Sequence, residues 1–263
     1  MKLCYPVCTP DSSGKIMAFT GGYENAFSHL KALGYQGVEL LIRNPDTVDI
    51  PYLEDLLAHY RLKIAVIGTS PMQIMDKLFL LHPEDKIREE AMRRFYGLLA
   101  LCRHFQVPAL VGKYRGQTPQ SDIMPMVKLF QMLCFEAEKQ NVRLLLEPQN
   151  PTNINNIHSM EDALRFQEMV SSPALGIMAD IYHMGITETD ICESLRRIAT
   201  HLGFVHMSDS DRKIPGHGIL PIPDIMKVLR EIAFDGYVSL EINQSPDSPT
   251  AAADASAYLQ KEL

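Results

Sequence analysis

Four short apolar runs in the second half of the chain each end on a side chain that can bind a metal ion or move a proton. The runs are LLLE, GIMAD, GFVH and YVSLE, and they end on Glu147, Asp180, His206 and Glu241. If these ends meet, three carboxylates share one buried point, where repulsion and lost hydration require a compensating charge. The alternative is that each side chain caps the next helix or pairs with a lysine. The set of four favours a bound divalent cation.

The mixture of three carboxylates and one imidazole also indicates which cation to expect. Oxygen-rich ligand sets are typical of a six-coordinate ion that keeps positions open for the oxygen atoms of a substrate. We therefore expect one divalent metal ion, with Mn²⁺, Co²⁺ or Mg²⁺ favoured. Zn²⁺ and Fe²⁺ are compatible with the set, but zinc is less natural where no thiolate is available.

Five further polar residues are candidates for binding a substrate. His183 comes shortly after the GIMAD run, and Arg212 and His217 lie in the Pro/Gly-shaped loop DSDRKIPGHG. Loop histidines and arginines are often only solvated, His217 could equally be a turn residue, and Glu39 could pair with Arg43 instead of facing a substrate. The candidates are His183, Arg212, His217, Glu39 and Asn150.

The elements that must position these residues alternate along the chain. Short runs rich in Val, Ile and Leu predict strands, and the stretches between them, with apolar residues three and four apart, predict helices. Eight such units in 263 residues predict an α/β fold, a (β/α)8 TIM barrel that forms a single domain over 1–263, with a doubly wound open sheet as the alternative. The predicted strands are 2–8, 36–42, 62–68, 107–112, 142–147, 175–181, 203–208 and 237–242.

Helical patterns fill most of the remaining chain. In a barrel, the carboxyl ends of the strands meet at one mouth, so the loops that follow them line the active face. The irregular stretches 9–21 and 69–83 are expected there, as are Lys113, Arg115 and Lys213, three loop cations that could bind a phosphate or be solvated. Helices are predicted near 23–33 and 53–60 and over 84–105, 121–140, 159–171, 188–201, 223–233 and 249–261.

Composition narrows the environment and the partners. The formal net charge is −7 without a block of basic residues, which disfavours nucleic acid as a partner. Five scattered cysteines without a C-x-x-C pair indicate free thiols in a reducing compartment, and we expect a cytoplasmic protein. No stretch is long and apolar enough for a signal peptide or a membrane span, so no membrane association or processing is expected.

Three segments resemble a known group of enzymes. LEPQN at 146–150 and DIYHM at 180–184 look like hydroxypyruvate isomerase segments, and HMSDSDRKIPGHG at 206–218 looks like the corresponding ketose 3-epimerase loop. The chain is identified as resembling the xylose isomerase-like TIM barrels, in the sugar isomerase/epimerase group that also contains inosose dehydratases. Two departures from ketose 3-epimerases are Asn153, where they have a glutamate, and the lack of tryptophan. The motifs indicate the superfamily and leave the substrate open.

The resemblance implies roles for individual residues. Glu147, Asp180, His206 and Glu241 bind one divalent metal, Glu147 and Glu241 double as the catalytic acid/base pair, and His183 and Arg212 hold the substrate. It also suggests a homodimer or homotetramer. Every position in this statement is read from the matching motifs and not from composition or spacing.

The chemistry that suits such a site is proton abstraction beside a carbonyl. A metal-dependent sugar isomerase/epimerase would act in this way on a ketose, a ketose phosphate or a small hydroxy-ketone through an enediolate. Dehydration of a keto-polyol of the inosose type is the near alternative. More remote alternatives are a nuclease like endonuclease IV, which needs additional strand histidines and a basic face, and a non-catalytic sugar-binding protein.

Overall fold

The computed structural model describes residues 1–118 and 122–262. Eight parallel strands pair in chain order and close into a barrel, because β1 also pairs with β8. The predicted (β/α)8 barrel is therefore confirmed, and the open doubly wound sheet is wrong. The strands are β1 Lys2–Cys8, β2 Gly37–Leu41, β3 Lys63–Gly68, β4 Ala109–Val111, β5 Leu144–Leu146, β6 Leu175–Asp180, β7 Leu202–His206 and β8 Tyr237–Ser239.

Helices surround the barrel, and two of them lie where the sequence predicts irregular chain. Ser70–Asp76 forms a short helix within the predicted loop 69–83, and Ile181–Thr187 forms another directly after β6. Neither is long enough to show an apolar stripe in the sequence. Within the described residues the α-helices are α1 Tyr23–Ala32, α2 Ile50–Tyr60, α3 Ser70–Asp76, α4 Asp85–Phe105, α5 Met124–Lys139, α6 Met160–Val170, α7 Ile181–Thr187, α8 Ile191–Arg197, α9 Ile222–Glu231 and α10 Ser248–Leu259.

Side-chain caps fix several strand-to-helix junctions. Ser159 and Asp162 form a reciprocal capping box at the start of α6. Asp180 accepts hydrogen bonds from the backbone N–H groups of Tyr182 and His183, so it ends β6 and begins α7 at once. The chain therefore turns sharply at Asp180, and the helix that follows starts beside the barrel mouth.

The barrel interior is closed beneath the mouth by an apolar layer. Successive side chains on a strand point to opposite faces, so a residue two positions before an inward-facing side chain also faces inward. Leu145, Met178 and Phe204 come two residues before Glu147, Asp180 and His206, and they belong to one buried cluster. A larger apolar core lies between the strands and the helices. The polar strand ends therefore pack on a buried apolar layer, which excludes water from the barrel interior beneath them. That cluster is Cys4, Ala65, Val66, Leu110, Leu145, Met178 and Phe204.

All five cysteines are free thiols, and four of them are buried. Among the described residues, no helix combines the length and the hydrophobicity that a membrane span would require.

Candidate metal centre and active site

The four strand-end residues converge on one point at the mouth of the barrel. One ligand atom from each of Glu147, Asp180, His206 and Glu241 lies within 4.8 Å of the other three. Asp180 and His206 end β6 and β7 in register, Glu147 directly follows β5, and Glu241 comes two residues after β8. Because parallel strands end at the same level of a barrel, residues far apart in the sequence meet here.

The His206 imidazole supplies the most direct sign that this cluster fits a cation. Its Nδ1 faces three carboxylates, at 3.4 Å from Glu241 Oε2, 3.6 Å from Asp180 Oδ2 and 3.8 Å from Glu147 Oε1. This nitrogen is buried and finds no hydrogen-bond partner within the described residues. Burial lowers the pKa of His206, but the carboxylates around both ring nitrogens, chiefly Glu39 and Glu241, outweigh this effect and raise the pKa well above its ordinary value. A divalent ion would satisfy both the nitrogen and the carboxylates.

Glu39 fixes the orientation of that imidazole. Its carboxylate lies 3.0 Å from His206 Nε2 and also accepts a hydrogen bond of 2.6 Å from the Ser239 hydroxyl. Glu39 does not pair with Arg43, which binds Asp76 instead. A carboxylate that accepts a hydrogen bond from the N–H of one ring nitrogen leaves the other nitrogen free to bind a metal. Glu39 therefore lies behind the candidate metal ligand His206 and supports it.

The pKa values of the two glutamates in the cluster are shifted in opposite directions. Burial, together with the nearby charges of Glu241 and Asp180, raises the pKa of Glu147 to about 8. Burial acts in the same direction on Glu241, but His206 and Arg212 outweigh it and lower the pKa of Glu241. Two carboxyl groups whose environments separate their pKa values are the arrangement that acid/base pairs use.

Arg212 contacts two of the candidate metal ligands. Its guanidinium lies 2.7 Å from Asp180 Oδ2 and 3.1 Å from Glu241 Oε2, and it stacks on the Tyr182 ring at 4.4 Å. Its backbone adopts the left-handed conformation, with φ 57°. These contacts hold a positive charge at the edge of the cluster, where an oxygen atom of a substrate would enter.

His183 and Asn150 form a connected pair beside Arg212. His183 lies on α7 and is 2% exposed, so it is not a surface loop histidine. The Asn150 side-chain N–H donates to His183 Nδ1 at 2.8 Å. The side-chain carbonyl of Asn150 accepts a hydrogen bond from the Thr152 hydroxyl at 2.5 Å. The Arg212 guanidinium, also a donor, lies 3.2 Å from Nε2, so both ring nitrogens face N–H groups and a neutral ring accepts from only one of them. Burial lowers the pKa of His183 and keeps the ring neutral.

His217 is not brought to this site. Its side chain is 49% exposed, and its Nδ1 lies 2.8 Å from the Asp211 carboxylate in the same loop. His217 is therefore a turn residue, which is the alternative to a substrate contact that the sequence leaves open.

The cluster opens into a cavity of about 250 Å³, which we call the catalytic cavity. Two of its residues, Gln149 and Gly112, are not among the candidate site residues that the sequence indicates. The Gln149 amide donates to Glu147 Oε2 at 2.6 Å. A Cβ at Gly112 would overlap the same carboxylate oxygen, so a larger residue there would displace the Glu147 carboxylate. Lys113 comes next in the chain and also lines the cavity. The polar lining is Thr69, Ser70, Gln73, Lys113, Glu147, Gln149, Asn153, His183, Arg212 and Glu241.

Comparison with known proteins assigns the family. The chain matches the xylose isomerase-like TIM barrel family over residues 27–262. The chain belongs to this family. The resemblance that the strand-end motifs indicate is thereby confirmed over nearly the whole sequence.

Relatives of this xylose isomerase-like barrel are sugar epimerases. The ketose 3-epimerase of Arthrobacter globiformis is 32% identical over 247 residues, which cover 90% of this chain and 82% of that protein. The D-psicose 3-epimerase of Enterocloster bolteae is 31% identical over 231 residues, covering 83% and 76%. The crystal structure of D-allulose 3-epimerase from Methylomonas sp. in complex with D-allulose shares the fold, with a TM-score of 0.81, 20% identity and coverage of 100% and 98%. The predicted enzyme class, a sugar isomerase or epimerase, is confirmed.

The role of Glu39 in this xylose isomerase-like barrel leads to a first prediction. Glu39→Gln keeps a hydrogen-bond acceptor for His206 but removes the charge, so we expect Mn²⁺ affinity to fall by about 10- to 100-fold. Titration calorimetry measures this directly. Glu54→Gln is the matched control, because Glu54 also bonds a histidine, His104 at 2.8 Å, but on the exposed surface. Equal affinities in all three proteins would show that Glu39 does not support the ligand.

Proposed function

We propose that the protein is a divalent metal-dependent ketose 3-epimerase that moves the proton at the carbon beside the carbonyl. The observation that carries this proposal is the pair Glu147 and Glu241, which both line one small cavity and both belong to a four-ligand cluster. Epimerisation needs one group to remove a proton from one face of a carbon and another to return it to the opposite face. The similarity to 3-epimerases supports the position of the reacting carbon.

Glu147, Asp180, His206 and Glu241 would hold the cation. Three carboxylates and one imidazole suit Mn²⁺, Co²⁺ or Mg²⁺, with Zn²⁺ or Fe²⁺ as weaker alternatives. When bound, the cation would supply Lewis-acid stabilisation of the negative charge that develops on the substrate's oxygen atoms.

The two glutamates divide the proton transfer. Glu241, whose pKa is lowered, is ionised at neutral pH and removes the proton from one epimer. Glu147, whose pKa burial and the neighbouring carboxylates raise in the metal-free protein, delivers a proton to the opposite face. The reverse reaction exchanges these roles. Gln149 holds the Glu147 carboxyl group in place through its 2.6 Å hydrogen bond.

Neighbouring residues bind and orient the sugar. His183 presents a neutral ring to the cavity, held between the Asn150 amide and the Arg212 guanidinium, and would contact a substrate oxygen. Arg212 adds a positive charge beside the same position. Together they favour an oxygen that becomes negative as the proton leaves, which is the requirement for forming an enediolate.

The site chemistry argues against a nuclease. Within the described chain, one group of metal-binding side chains is found, and it contains a single histidine. His29, His59 and His104 lie on the outer helices α1, α2 and α4, away from the strand ends. A net charge of −7 also disfavours the phosphate backbone of DNA.

Solvent exchange tests the proposal. The purified protein is incubated in D₂O with ketopentoses, ketohexoses and their phosphates, and the sugars are analysed by NMR. The reaction contains either Mg²⁺, or Mn²⁺ that is removed after turnover. We expect deuterium at carbon 3 together with the 3-epimer, because the glutamate that delivers the new proton takes it from solvent. Hydroxypyruvate and an inosose are included as substrates for the alternatives.

The position of the label distinguishes the outcomes. Deuterium at carbon 1 with an aldose product would show that the protein is an isomerase and not an epimerase. Loss of water from the inosose would show that it is a dehydratase. Absence of exchange from every compound, in protein with bound metal, would contradict the proposed function.

A further inference from the structure

The three loop cations that could bind a phosphate have different environments. Arg115 is fully buried, and its guanidinium donates to the backbone carbonyls of Gly112 and Glu147, both at 2.9 Å, and to the Asn156 side chain at 2.8 Å. Lys213 lies 3.2 Å from Asp211 and does not line the catalytic cavity. Arg115 is therefore a structural residue, and the charge of Lys213 is already paired.

Lys113 differs from both of them. It lines the catalytic cavity, and among the described residues its ammonium group has neither an ion pair nor a hydrogen bond. The carboxylates of the metal cluster do not need it, because His206 and Arg212 already lie within 4 Å of them. An amine partly withdrawn from water beside a substrate cavity is available to an anion.

The chain around Lys113 is held rigidly. Gly112, on one side, packs against the Glu147 carboxylate. On the other side, the Tyr114 hydroxyl donates to the Ala91 carbonyl at 2.7 Å, and Arg115 is anchored as described. Lys113 is therefore the charged residue of this segment that lines the cavity, and its backbone is fixed next to Glu147. A fixed backbone lowers the entropy cost of using a flexible side chain for binding.

We propose that Lys113 forms a subsite for an anionic group, a phosphate or a carboxylate, at the end of the ketose remote from the reacting carbon. This inference rests on the proposed function and specifies its substrate class. The amide groups of Gln73 and Asn153 line the same cavity and form no side-chain hydrogen bond in the described part of the chain, so they supply further donors. The shared chemistry is a charge-assisted hydrogen bond to an oxyanion.

The anion is expected at Lys113 and not beyond it. A second cavity of about 420 Å³ also includes Lys113 in its lining, but its other walls are largely apolar. An anion that moved further would lose hydration against mostly apolar walls, and the polar lining residues His82, Gln117 and Thr118 already form hydrogen bonds within the chain. Those apolar walls include Phe79, Leu81, Pro83 and Ile154.

Kinetics with matched substrates test the subsite. We would measure kcat/KM for a ketopentose, its 5-phosphate and the ketose acid with a terminal carboxylate, in wild type, Lys113→Met and Lys113→Arg. We expect the wild type to prefer one anionic substrate by at least about tenfold, mainly through KM. Lys113→Met should lose that preference, and Lys113→Arg should retain most of it. Lys213→Met is the matched control and should keep the wild-type ratio.

Binding provides a measurement that does not depend on turnover. A pentitol and its 5-phosphate lack the carbonyl, so titration calorimetry reports only recognition of the polyol and the anion. We expect a dissociation constant at least about tenfold lower for the phosphate in wild type, and no such difference in Lys113→Met. If phosphate gives no advantage here, the terminal carboxylate of the matching aldonic acid is tested in the same way.

The outcomes separate the two proposals. Turnover of the neutral ketose with no anion preference, and no anion effect on binding, overturns the Lys113 subsite but leaves the proposed function intact. Anion-dependent binding that requires Lys113, without turnover of any ketose, supports the subsite and overturns the proposed function. An anion preference that survives Lys113→Met would also overturn the assignment of Lys113.

Discussion

Replacing either Glu147 or Glu241 by glutamine should lower the rate of epimer interconversion by at least about 10³-fold, since each variant lacks one of the two proton-transfer groups. Each variant should nevertheless exchange the carbon 3 proton of one epimer with D₂O, because the remaining glutamate still faces that proton. The two variants should therefore show opposite epimer preferences in exchange. This pattern is specific to a pair of bases on opposite faces of the substrate, and NMR of each pure epimer in D₂O detects it.

Both glutamates also belong to the metal cluster, so the metal must be controlled. Each assay is run at a Mn²⁺ concentration that saturates the variant, with bound metal measured separately. Gln149→Leu is a matched comparison, because it removes the 2.6 Å hydrogen bond to Glu147 without changing a metal ligand. We expect only a partial loss of rate there. Loss of exchange from both epimers in only one variant would instead indicate a single catalytic base.

Periodicity in the sequence was sufficient to predict the barrel. Every strand is an apolar run that remains buried on both faces, so the pattern and the environment agree. The ends were less accurate: β5 ends at Leu146 and β8 at Ser239, before Glu147 and Glu241. The two short helices α3 and α7 were missed, since seven residues give fewer than two full periods.

The site was predictable where residue type and strand position were enough. Glu147, Asp180, His206 and Glu241 combine both signals and meet within 4.8 Å. The contact between Glu39 and His206 could not be read from the sequence, because it joins residues 167 positions apart across the barrel. Arg115 illustrates the opposite problem, since a loop arginine that sequence analysis assigns to solvent or phosphate is completely buried.

His206→Ala should abolish specific metal binding, with Mn²⁺ affinity reduced by at least about 100-fold, because it removes the single nitrogen ligand of the cluster. The same change leaves Glu39 buried, at 1% exposure, with only the Ser239 hydroxyl as a partner. An unpaired buried charge is costly, so the free energy of unfolding without added metal should fall by about 3 kcal/mol. Calorimetry and urea denaturation measure the two effects.

The double variant His206→Ala with Glu39→Gln separates these two roles of the histidine. The second substitution replaces the buried carboxylate by a neutral amide, so the penalty of the unpaired charge disappears and at least about 1 kcal/mol of stability should return. Metal affinity should not return, because no replacement for Nδ1 is supplied at the point that faces Glu147, Asp180 and Glu241. Recovery of stability without recovery of binding would identify His206 as a ligand that Glu39 holds in place. If both recovered together, the cluster would owe its metal affinity to its carboxylates alone, and His206 would serve only to balance the charge of Glu39.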